Sequence, residues 1–74
     1  MDLGSCVVGT DVEVVDVGAP ATARLRMREV GLRVGSIVRV TQQGPFGGRV
    51  VAVGASRIAV DSATATGIEV RVAR

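Results

Sequence analysis

Asp11, Glu13 and Asp16 crowd three carboxylates into one short stretch, and Cys6 places the chain's single thiol just upstream. Carboxylates that share a strand face can hold a hard cation weakly, and a thiolate is a soft ligand for zinc or iron. A closed metal site needs several donors, and this chain offers one cysteine and no histidine. The acidic trio therefore reads more simply as a solvated strand edge. The missing histidine also removes the usual general base near neutral pH and any Ser-His or Cys-His pair. Without lysine there is no P-loop and no Schiff base, and the GPFGG run at Gly44 to Gly48 lacks a phosphate-binding pattern. The residues predict no catalytic group, no cofactor and no dedicated metal ligand. Binding is what remains.

The basic set is all arginine, nine residues against seven acids for a formal net charge of +2. Arg24, Arg26, Arg28 and Arg33 gather in one region. That region is either a patch for an acidic partner or nucleic acid, or a solvated helix face. Nucleic acid is disfavoured, because single-strand binders interleave aromatics for stacking and Phe46 is the only aromatic here. Phe46 stands between Pro45 and Gly47 at a turn, where it either folds back on the core or protrudes as a low-entropy anchor. The candidate partner-binding residues are accordingly Arg24, Arg28, Leu32, Arg33 and Phe46, with Leu32 available only if the core does not consume it.

The elements that must carry these residues are legible from period and punctuation. A chain of 74 residues is one domain, residues 1–74, with a modest core. Its 16 valines favour sheet. Two segments echo each other, GTDVEVVDVG (Gly9 to Gly18) and GSIVRVTQQG (Gly35 to Gly44), and read as two strands entered and left through glycine turns. In the first, Val12 and Val14 alternate with Asp11 and Glu13, and then Val15 and Val17 take the opposite phase about Asp16. Such a slip means a bulge or a sharp coil. Val38 with Val40, Val51 with Val53, Ile58 with Val60, and Ile68 with Val70 and Val72 supply the inner faces of the later strands. The expected core is Val38, Val40, Val51, Val53, Ile58, Val60, Ile68 and Val70.

Between the echoing strands, Ala23, Met27 and Val30 recur at helical spacing after Pro20. Gly31 closes that helix in the left-handed conformation, with Leu32 as the accompanying apolar contact and Gly35 as a second turn. Asp61 to Thr66 predicts one short helical turn capped by Asp61 or Ser62. The fold expected is mainly β: a small five-stranded barrel, closed or nearly so, with one short α-helix between strands 1 and 2. Met27, Val30 and Leu32 would plug its open end. The opening residues show no signal-peptide pattern, and no stretch approaches the roughly 18 apolar residues of a membrane span. With its lone thiol, the chain reads as cytoplasmic, and any link to a membrane runs through a partner.

The run RMREVGLRVGSIVRV, with the Val-Gly-Leu corner at Val30 to Leu32, resembles the ferrous-iron transport A (FeoA) family. The likeness continues through the Gly-Pro-x-Gly hairpin at Gly44 to Gly47 and Ile-x-Val at Ile68 to Val70, from about Leu3 to Val72. Several members carry proline where Val34 stands. The resemblance implies an SH3-like barrel without catalysis that supports or regulates ferrous iron uptake by contact with the membrane Fe(II) transporter FeoB, whose cytoplasmic portion carries a GTP-binding domain. It also makes transition-metal binding a family label, since the same module forms the C-terminal domain of some iron-dependent repressors. The rival readings are an RNA- or ribosome-associated SH3-like barrel and the metal-sensing domain of an iron-dependent regulator.

Overall fold

Valine alternation becomes five strands: β1 (Asp11–Val17), β2 (Ile37–Gln43), β3 (Arg49–Val53), β4 (Ser56–Val60) and β5 (Ile68–Val72). The computed structural model describes residues 1–73. Helix α1 (Ala21–Glu29) lies between β1 and β2 in the chain, and a short helix α2 (Ser62–Thr66) between β4 and β5. Single 3-10 turns occupy Leu3–Ser5 and Pro45–Gly47. All strand pairings are antiparallel, in the order β4-β3-β2-β1-β5.

The closed barrel does not form. β4 and β5 are the two edges of the sheet and do not pair. Their connection is helical, and the outer side of β5 is taken by the start of the chain. There the Val70 N–H donates to the Met1 carbonyl at 2.7 Å, and Asp2 bridges Glu69. An edge covered by a short segment is protected from further pairing almost as well as one inside a barrel.

The phase slip in β1 is a bulge. Pairing with β5 shifts register between Val14 and Asp16, so Val12, Val14 and Val17 face inward while Val15 is left outside. A second shift between Val40 and Gln42 bends β2, with no comparable break in alternation to announce it. The inner faces meet in one cluster, where Val12, Val14, Val40 and Val51 are fully buried. Six of the eight expected core residues are buried, and Val53 and Ile58 are partly buried against them. Val72 is a correction. It shares the face of Ile68 and Val70 but stays 51% exposed, because the core runs out of cover at that end of β5.

The first residues do more than the alternation suggests. Leu3 is fully buried and Cys6 nearly so. Arg49 of β3 staples this segment, its Nη1 donating to the Cys6 carbonyl at 2.8 Å and its Nη2 to the Gly4 carbonyl. Burial pushes the Cys6 thiol above its ordinary pKa, which suits an inert structural cysteine better than a ligand. Among the described residues no helix is long and apolar enough to cross a membrane.

Candidate functional site

Helix α1 is built to end sharply rather than to bury a face. No residue in it is buried, although Met27 is partly so and packs against the core. At its end the Leu32 N–H donates to the Met27 carbonyl at 2.8 Å and the Gly31 N–H to the Arg28 carbonyl at 3.0 Å. That nested pair is the Schellman arrangement, which requires a left-handed residue at the position Gly31 occupies with φ +91°. A Cβ at Gly31 would also lie 2.9 Å from Val53 Cγ1. The corner is then tied down. Ser36 Oγ donates to the Gly31 carbonyl at 2.6 Å, and the Gly35 N–H donates to the Val14 carbonyl of β1 at 2.8 Å.

This reversal decides which apolar side chain enters the core. Leu32 is 1% exposed, whereas Val30, expected to plug the end with Met27 and Leu32, is 45% exposed. The cap turns the chain inward only after Gly31, so Leu32 takes the place the helical stripe assigned to Val30. Leu32 is thereby consumed by the core and is not a free anchor.

Between α1, the corner and the end of β1 lies an open groove of about 630 Å³. Val17 and Leu32 line it from the core side, and Leu25 and Val34 add exposed apolar surface. Arg24, Arg28 and Arg33 also line it, so four of the five candidate residues share one site. Asp16 is the carboxylate among the lining residues. Phe46 is elsewhere. It sits at the β2–β3 turn, 99% exposed, and does not line the groove. Its φ of +57° is unusual for a side-chain-bearing residue. Of the two alternatives for Phe46, protrusion is what the structure shows.

Among the described residues three ion pairs compensate charge on and beside the sheet, and none forms around the groove. Arg39 donates to Asp11 at 2.7 Å, Arg71 lies 2.9 Å from Glu13, and the Met1 amino group lies 2.6 Å from Glu69. The hydrogen bond from Arg39 holds Asp11 below the usual carboxylate range. Two of the three acids considered as a cation site are thus ion-paired strand residues. Among the described residues no group of three His, Cys, Asp or Glu side chains is arranged to hold a metal ion. By contrast, Arg24, Arg26, Arg28 and Arg33 have no carboxylate within ion-pair distance among the described residues. The feature that sequence reasoning missed is Leu25. Flanked by arginines, it lay off the Ala23–Met27–Val30 stripe, and its outlying position was the signal.

Known proteins place the molecule. A family model described as the FeoA domain matches residues 1–72. The solution structure of the FeoA protein from Chlorobium tepidum superposes with a TM-score of 0.91 at 27% identity, covering 100% of this chain and 71% of that one. The Stenotrophomonas maltophilia FeoA, solved in complex with zinc and described as a procaryotic SH3 domain protein, superposes at 0.78 with 34% identity, covering 96% and 89%. A manganese-dependent transcriptional repressor superposes at 0.81 with 22% identity, covering 100% of this chain but 41% of that one, and so shares the fold alone. No curated protein matches the chain. The SH3-like fold and the match along nearly the whole length lead to one conclusion: the chain belongs to the FeoA domain family.

Proposed function

We propose that this chain is an accessory protein of ferrous iron uptake that acts in the cytoplasm by docking on the membrane Fe(II) transporter FeoB. Family membership supports the iron-transport setting. So does the description of the Stenotrophomonas relative as a candidate ferrous iron transport activating factor. The observation that carries the docking is the set of uncompensated arginines, Arg24, Arg28 and Arg33, around one apolar groove. Unpaired guanidinium groups steer an acidic surface, and the exposed apolar side chains beside them then lengthen the residence time. Phe46 adds a separate apolar contact at the β2–β3 turn. Catalysis plays no part in this reading.

Interferometry against the soluble GTP-binding portion of FeoB and against the solubilised whole transporter tests it. Binding that weakens with salt, with slower association for Arg28→Glu and faster dissociation for Phe46→Ala, is the expected result. Binding to neither form, together with binding to structured RNA at physiological salt, replaces this reading with the ribosome-type module.

A further inference from the structure

The groove beside α1 has a make-up that selects its occupant. Apolar surface lies within it, where Leu25 and Val34 remain 57% and 63% exposed. A hollow of about 630 Å³ is large enough for a short stretch of chain with its side chains. Arg24 and Arg28 are one helical turn apart, roughly 6 Å along the axis. That distance matches two carboxylates four residues apart on a helix, or two apart on an extended chain. Arg33 adds a third positive group from the corner.

Elsewhere Arg39 and Arg71 each hold a strand carboxylate and Arg49 holds backbone carbonyls, while Arg26 and Arg57 are unpaired among the described residues but stand outside this groove. Three unpaired arginines, Arg24, Arg28 and Arg33, thus stand together beside the exposed apolar surface of Leu25 and Val34. A basic occupant would be repelled by three guanidinium groups, and a neutral one would forgo the stronger charge-assisted hydrogen bonds that carboxylates make to them.

We infer that the groove binds an acidic protein segment carrying an apolar side chain between its carboxylates. This inference rests on the reading of the groove as a docking surface and names the chemistry of what docks. The carboxylates meet Arg24, Arg28 and Arg33, and the apolar side chain packs against Leu25 and Val34. Asp16, on the β1 side, repels the same carboxylates and sets the direction in which the segment lies. A flat anionic membrane is a poorer fit, because the arginines and apolar side chains line a groove between α1 and the corner rather than one flat face.

Fluorescence anisotropy of the full chain tests the inference. The probe is a short fluorescein-labelled peptide of glutamate and leucine in amphipathic order, and its counterpart has lysine for glutamate. The glutamate peptide should bind saturably and the lysine peptide should not. Arg24→Glu and Arg28→Glu should each weaken binding roughly tenfold, since an attraction of modest size becomes a repulsion of similar size. Leu25→Ser should weaken it as well, and Asp16→Asn should tighten it about two- to threefold. Thermal melts at unchanged midpoint show that the variants are folded.

Equal binding of both peptides, or indifference to Arg28→Glu, overturns the inference. So does arginine-dependent binding to phosphatidylglycerol vesicles without peptide binding. The inference and the transporter reading fail separately. If the transporter binds but the glutamate peptide neither binds nor competes, the acidic-segment inference is wrong and the docking partner stands. If the peptide binds and the transporter does not, the groove chemistry stands and the partner is a different acidic protein.

Discussion

Helix α2 has five residues and a fully buried Ala65, whereas helix α1 has nine and buries none. The shorter helix is also the better capped. The Asp61 carboxylate accepts from the Thr64 N–H at 2.7 Å, while Pro20 offers α1 no side-chain cap. α2 packs against the N-terminal 3-10 turn and against β5, and it connects β4 and β5, the two edges of the sheet. α1 is held chiefly by its C-terminal glycine corner and by Met27. An isolated helix of this length is marginal in water, so the corner must supply much of its order. The contrast assigns different work to the two elements: α2 completes the core, and α1 displays a surface.

The largest expected effect separates two leucines. Leu32→Ala empties a fully buried site and should cost about 3 kcal/mol, a large share of the stability of so small a domain. Urea denaturation followed by circular dichroism measures it, and a loss under about 1 kcal/mol would mean that the corner does not anchor in the core. Gly31→Val comes next. It forces a branched residue to φ +91° and pushes its Cβ against Val53, and should cost about 2–3 kcal/mol. The same denaturation series checks it. If Gly31→Val left both stability and peptide binding untouched, the role given to the corner would be wrong.

A smaller effect belongs to the cap of α2. The hydrogen bonds from Thr64 hold the Asp61 carboxyl below its ordinary pKa. A carboxyl lowered in the folded state contributes stability that is present above its unfolded value of about 3.9. That contribution is lost as pH falls through the folded value. Asp61→Asn should keep the cap but flatten the acid limb of the stability profile, while Asp61→Ala should lose the cap at neutral pH as well. Melting midpoints from pH 7 downward distinguish the two. The smallest effect sharpens the comparison most. Leu25→Ala should change stability by no more than about 0.5 kcal/mol, in contrast to Leu32→Ala, while weakening capture of the acidic peptide. A substantial destabilisation by Leu25→Ala would show that α1 is a core element after all.

Read by itself, the sequence determined whatever depends on near neighbours. The alternation of Val38 and Val40, the slip between Val14 and Asp16, the left-handed stop at Gly31 and the Asp61 cap all follow from a few residues of local context, because strand period, helix capping and positive φ are local steric properties. The lack of histidine and the clustering of Arg24, Arg28 and Arg33 are equally local in the sequence, and they leave binding as the available chemistry. Tertiary structure alone decided the rest. It left the sheet open by placing Met1 and Asp2 along β5, buried Leu3 and Cys6 under the reach of Arg49, chose Leu32 over Val30 for the core, and turned Phe46 outward away from the groove. Each of these outcomes is a competition between segments far apart in the chain for the same space or the same hydrogen-bonding edge. The pattern within any one segment does not record who wins it.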